Sequence, residues 1–183
     1  MEEKEDLNLK FLNGYAENIG QWLSALEETR ERTMELLNSI EPDWTDFIPD
    51  DSEESIGTIL YHIAAIEASW LYTEVLQTPF PMEVEEIFPL DVRADDGTLT
   101  PTMDGMQKHL DRLKIVREKL LEGFSKISQK EFVTTKQFEE YSVSPVYVLH
   151  HLMQHEAEHR SQINRIGMKA KAVLGDRIPK ENV

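Results

Sequence analysis

The chain has 183 residues and a formal net charge of −16, with 40% hydrophobic and 30% charged residues, so it can bury one sizeable core but offers no basic footprint for nucleic acid. It contains no cysteine, which excludes disulfides, iron–sulfur clusters, thiolate ligands and a cysteine nucleophile, and leaves histidine and carboxylate as the only metal ligands. No stretch approaches the roughly 18 apolar residues of a membrane span, and the acidic start MEEKEDLNLK is no secretory signal, so a cytoplasmic protein with one domain over residues 1–183 is expected.

Hydrophobic periodicity predicts four helices. In the first, Phe11, Tyr15, Ile19, Trp22, Leu26, Leu37 and Ile40 recur at helical steps, interrupted from Thr29 to Thr33, and Pro42 and Pro49 close it. The second runs from about Ile56 to Leu76, with Ile56, Ile59, Ile63, Ile66 and Trp70 on one stripe, and stops before Pro79 and Pro81. The third opens at Thr100-Pro101, a cap followed by proline in the first turn, and repeats Met103, Met106, Leu110, Leu113, Val116, Leu120, Phe124 and Ile127. The fourth opens the same way at Ser144-Pro145 and runs through Leu149, Leu152, Ile163 and Ile166 to Gly175. Short runs at Glu131 to Thr135 and Tyr141 to Val143 can pair locally, but no sheet is visible. The expected fold is all-α, a four-helix bundle with long connections between helices two and three and between three and four. The first connection, Gln77 to Leu99, carries Phe80, Ile87, Phe88 and Leu90. It should therefore pack down, either as a crossover the topology requires or as the cover of a site.

Six histidines occur, four of them in the last helix. His155 and His159 are four residues apart and project from adjacent turns of one face, which lets two imidazoles chelate one ion. On a helical wheel His159 falls inside the apolar stripe and His155 on its edge. His150 and His151 fall outside it and read as bystanders. His62 lies beside the stripe of the second helix and is the better third ligand; His109, next to Lys108, reads as a surface residue. His155-Glu156-Ala157-Glu158-His159 matches the H-E-x-x-H pattern of zinc proteases, but no third ligand follows in Arg160 to Arg165 and no sheet accompanies it. Glu156-x-x-His159 also has di-iron spacing, yet only one copy exists. Glu156 and Arg160 both fall on the apolar face, four apart; they predict a buried ion pair, with Glu156 as a base near an ion the alternative.

Two segments carry a family resemblance. Ser55-Ile56-Gly57-Thr58-Ile59-Leu60-Tyr61-His62-Ile63-Ala64, followed by Trp70, resembles the second helix of the DinB-like superfamily. His155-Glu156-Ala157-Glu158-His159-Arg160-Ser161-Gln162-Ile163 resembles that family's closing H-x-x-x-H-R-G-Q-[IL] signature, with Ser161 where the family usually has Gly. The resemblance implies a four-helix bundle, commonly a homodimer, in which His62, His155 and His159 hold a divalent ion, nickel or zinc. Characterised relatives include S-transferases that join mycothiol or bacillithiol to electrophiles. The implied function is therefore a metal-dependent transferase that activates a low-molecular-weight thiol toward a small-molecule substrate. A hydrolase using metal-bound water and a non-catalytic metal- or ligand-binding helical dimer are the alternatives.

Overall fold

The computed structural model describes residues 8–50 and 54–175. Its four long helices are α1 (Glu17–Leu37), α2 (Ile56–Trp70), α4 (Gly105–Ser125) and α6 (Pro145–Leu174), with the short helices α3 (Met82–Glu85) and α5 (Gln129–Val133) in the two long connections. The fold is all-α, as the periodicity predicts. Among the described residues no helix is long and apolar enough to cross a membrane.

Helix α2 is the centre of the bundle. It packs against α4 and α6, while α1 packs against α6. Nearly all of α2 from Ile56 to Ala68 is buried, the all-round burial of a central helix rather than the single stripe of a surface one. Ser55 caps it by accepting the Thr58 amide at 3.1 Å. Its end passes into a π-helical turn, Leu71–Leu76, stopped by Gln77 in the left-handed region (φ 54°). The core around it joins Leu23 and Leu26 of α1, Ile59 and Ile63 of α2, Leu113, Val116 and Leu120 of α4, and Leu149, Leu152 and Ile163 of α6. Each such side chain contributes about 1.5–3 kcal/mol on full burial.

Three boundaries differ from the sequence reading. Phe11 and Tyr15 precede α1 instead of extending its stripe. Gly14 turns the chain (φ 93°), and the preceding segment folds back over Gly20, where a Cβ would lie 2.7 Å from the Leu12 carbonyl oxygen and 3.1 Å from the Phe11 ring. The third long helix begins at Gly105, not at Thr100-Pro101: the left-handed backbone of Gly105 (φ 71°) prevents a continuous helix from Pro101, and Met103 is left 73% exposed. The run Glu131 to Thr135 is mostly helix α5. A reciprocal cap sets it, the Glu131 amide donating to the Ser128 hydroxyl and the Ser128 amide to the Glu131 carboxylate. Two-residue strands follow, β1 (Lys136–Gln137) antiparallel to β2 (Ser142–Val143), with Lys136 opposite Val143.

The Gln77 to Leu99 connection does pack down. Tyr61 fixes it with one hydroxyl, which donates to the Leu90 carbonyl oxygen at 2.6 Å and accepts the Leu90 amide at 3.0 Å. Arg112 Nε donates to the Ile87 carbonyl oxygen at 2.7 Å, and Phe88 meets the Tyr61 ring edge-on at 5.4 Å.

Candidate metal centre

The helices α2 and α6 are antiparallel neighbours, and this places His62 against the His155–His159 pair. His62 Nε2 lies 3.0 Å from His155 Nε2, and His159 Nε2 lies 3.1 Å from His155 Nε2. At the 2.0–2.1 Å of a metal–imidazole bond, two nitrogens on one ion lie about 3–3.4 Å apart, so both of these separations match those of ligands sharing one ion. The three residues form a group able to hold a metal ion.

The protonation states agree with that geometry. Burial, reinforced by the neighbouring His159 and by Arg93, pushes His62 down to about 4. Burial followed by His159, His62, His151 and Arg93 pushes His155 down to about 3. At neutral pH these two rings are neutral, with a nitrogen lone pair available to each. His159 Nδ1 is 2.7 Å from Gln162 Oε1. An amide oxygen can only accept, so the Nδ1–H is the donor, and the lone pair of His159 sits on Nε2, facing the other two rings. His62 Nδ1 is buried without a hydrogen-bond partner. A cation at the Nε2 atoms makes three converging lone pairs favourable where they would otherwise repel.

Glu156 stands between the two α6 imidazoles in sequence, but its carboxylate is engaged elsewhere. Arg30 Nε donates to Oε1 at 2.8 Å and Nη2 to Oε2 at 3.1 Å; Arg117 Nη2 reaches Oε2 at 3.4 Å. Both arginines also hold Glu67, Arg30 Nη2 at 2.8 Å and Arg117 Nε at 2.7 Å. The expected pair between Glu156 and Arg160 does not form. Arg160 donates instead to the Thr29 carbonyl oxygen at 3.0 Å. The result is a buried layer with one charge from each long helix: Arg30 of α1, Glu67 of α2, Arg117 of α4 and Glu156 of α6. Burial alone would raise the Glu67 carboxyl, but Arg117 and Arg30 outweigh it and hold the group below the usual carboxylate range. Sequence reasoning missed Arg30, Glu67 and Arg117. The signal was present, since Arg30 sits inside the Thr29 to Thr33 interruption of the α1 stripe and Glu67 is the one acid between Ile66 and Ala68 of an apolar helix.

The remaining histidines fall in other places. His109 is not a surface residue; it is fully buried, with Nε2 3.4 Å from the Thr102 hydroxyl and Nδ1 3.3 Å from Arg112 Nη1. Gly57 makes the room, since a Cβ there would lie 2.9 Å from His109 Nε2. His150 is exposed. His151 is half-buried and stacks on Trp70 at 4.2 Å, with its ring 5.8 Å from that of His155, so it is not a solvated bystander.

The sequence profile of the DinB superfamily matches residues 25–163, a span that contains all three imidazoles of the cluster. Among solved structures, a conserved protein of Enterococcus faecalis is similar in fold, with a TM-score of 0.62 at 14% identity over 81% of this chain and 95% of that one. No curated protein matches the chain.

Proposed function

This chain belongs to the DinB superfamily, and from that membership together with its imidazole cluster we propose a metal-dependent S-transferase in which His62, His155 and His159 hold one nickel or zinc ion. The observation that carries the reading is the convergence of three Nε2 atoms at 3.0 and 3.1 Å from two different helices. A divalent ion held by His62, His155 and His159 would supply the positive charge that favours the thiolate form of a thiol beside it. The transfer then forms a sulfur–carbon bond and breaks the bond from that carbon to its leaving group, which departs with the electron pair; the thiol proton goes to solvent.

The chain's own residues supply orientation. Gln162 fixes the His159 ring with its lone pair on Nε2. Tyr61, next to His62, holds Leu90 and with it the connection that carries Arg93, whose charge acts on His62 and His155. Glu156 is a positioning residue in this reading. With both oxygens on guanidinium groups it fixes the stretch of α6 from which His155 and His159 reach His62, and it has no free oxygen to serve as a protease-type base. The homodimer that the resemblance implies is part of the same proposal, and sedimentation of the purified protein checks it.

The decisive test is elemental analysis of protein purified without a histidine tag. Near one ion per chain in the wild type, lost in His62→Ala and in His159→Ala, is the expected outcome. Thiol consumption with a small electrophile should then vanish in His155→Ala. Turnover that needs no thiol would replace transfer by hydrolysis, and a wild type that takes up neither nickel nor zinc would overturn the metal centre itself.

A further inference from the structure

The imidazole cluster is one end of a longer series of rings. Because α2 and α6 run antiparallel, His62 and Trp70, two turns apart on α2, lie opposite the four-residue ladder His159, His155, His151 and Tyr147 of α6. Centroid separations along it are 4.4 Å from His159 to His155, 5.8 Å from His155 to His151 and 4.2 Å from His151 to Trp70. Tyr147 closes the series, 6.4 Å from both His151 and Trp70 and within 10° of parallel to the His151 ring.

These outer rings do not behave as core. Tyr147 is 52% exposed, and Trp70 and His151 are only half-buried. Among the described residues no hydrogen bond or ion pair engages the Trp70 indole N–H, the Tyr147 hydroxyl or the His151 ring. Half-exposed indole and phenol rings keep apolar surface in water, and a planar ring laid on them removes it while gaining offset or edge contacts. They begin one helical turn, about 6 Å along the axis, from the imidazoles. A short spacer on an atom held at the triad is long enough to span that distance along the line of rings.

We propose that Trp70, Tyr147 and His151 form a recognition shelf for a planar aromatic ring on the small molecule held at the imidazole triad, an inference that rests on the metal-centre reading above. The substrate class it selects is an aryl-bearing thiol or electrophile whose ring lies a short spacer away from the reacting atom.

The test uses full-length protein loaded with cobalt(II) as a spectroscopic probe and titrated with three thiols: ethanethiol, 2-phenylethanethiol and 2-cyclohexylethanethiol. The last two share a spacer and differ in ring planarity. Sulfur-to-cobalt charge-transfer absorption reports binding without any turnover. The expected result is a preference of about fivefold or more for the phenyl over the cyclohexyl compound, within the range that aromatic contacts supply. That preference should fall below about twofold in Tyr147→Leu and Trp70→Leu, with ethanethiol affinity unchanged as the sign of an intact site. Should Trp70→Leu fail to fold, the half-exposed Tyr147→Leu carries the test alone. Equal affinities of the two ring compounds for the wild type, or a preference that survives in Tyr147→Leu, would overturn the shelf while leaving the metal centre standing. Absence of a charge-transfer band with ethanethiol in protein that holds near one cobalt per chain would overturn thiol binding at the centre and the shelf with it, whereas failure to take up cobalt would overturn the metal centre itself. A wild type without ring preference whose sedimenting mass falls in Tyr147→Leu would reassign these rings to contact with a second copy of the chain.

Discussion

His109 shows how burial decides the charge of a single side chain. Its ring is fully buried beside the Arg112 guanidinium, and burial first, then Arg112, pushes its titration down to about 4 from an ordinary 6.5. The folded protein therefore keeps a neutral His109 at a pH where the unfolded chain is already protonated. The stability this contributes is fully present above about pH 6.5 and is lost as the pH falls toward 4, at about 1.4 kcal/mol per unit. Carboxylates and the other histidines titrate in part of the same window, so the comparison is with His109→Gln. Urea denaturation between pH 7 and 4.5 should give a shallower loss of stability in that variant than in the wild type. Parallel curves would mean that the His109 ring accepts a proton in place, and the buried, neutral assignment would be wrong. The same physics separates this histidine from the triad. His109 meets a hydroxyl and a guanidinium, whereas His62, His155 and His159 meet one another.

At the scale of elements, α2 is tied to the Gln77 to Leu99 connection through a single side chain. One hydroxyl, that of Tyr61, satisfies both the amide and the carbonyl of Leu90. Tyr61→Phe removes two hydrogen bonds, worth about 1 kcal/mol each, and leaves the ring packed on Phe88. The backbone amides around Leu90 should then exchange with deuterium about tenfold faster or more, while the α2 amides around His62 keep their protection. If exchange accelerates along α2 as well, Tyr61 supports the helix itself and not only the connection. These elements were unequally legible in the sequence. Apolar spacing announces α2, and in α6 it coincides with proline in the first turn at Ser144-Pro145; the His155–His159 step is visible for the same reason of local periodicity. The start of α4 was not legible, because Pro101 imitates a first turn and only the backbone angle of Gly105 rules it out. Nor was the burial of His109, which depends on Gly57 fifty-two positions earlier in the chain. Periodicity reports the face of a helix; it does not report what stands opposite.

The charged layer belongs to the scale of the whole molecule, since each of the four long helices contributes one buried member and each member pairs with two of the others, Arg117 reaching the half-exposed Glu27 of α1 as well. Removing one charge leaves its partners buried and uncompensated: Glu67→Gln or Glu156→Gln should each cost about 3–5 kcal/mol in urea denaturation. Replacing all four at once has a different sign of argument. Arg30→Met, Glu67→Met, Arg117→Met and Glu156→Met together remove the desolvation cost of every ion along with their attraction, and methionine fills irregular space. The quadruple variant should therefore be more stable than either single variant, and within about 2 kcal/mol of the wild type. What it gives up is directionality. Each guanidinium bridges Glu67 and Glu156, so the layer fixes the register of α2 against α6, the two helices whose imidazoles must agree to a few tenths of an ångström. The expected signature is a well-folded quadruple variant with metal affinity at least tenfold below the wild type, in the range that loss of orienting partners costs a metal site. Undiminished metal affinity in a stable quadruple variant would show that apolar packing alone sets the register, and the ion layer would then be a matter of fold and not of the centre.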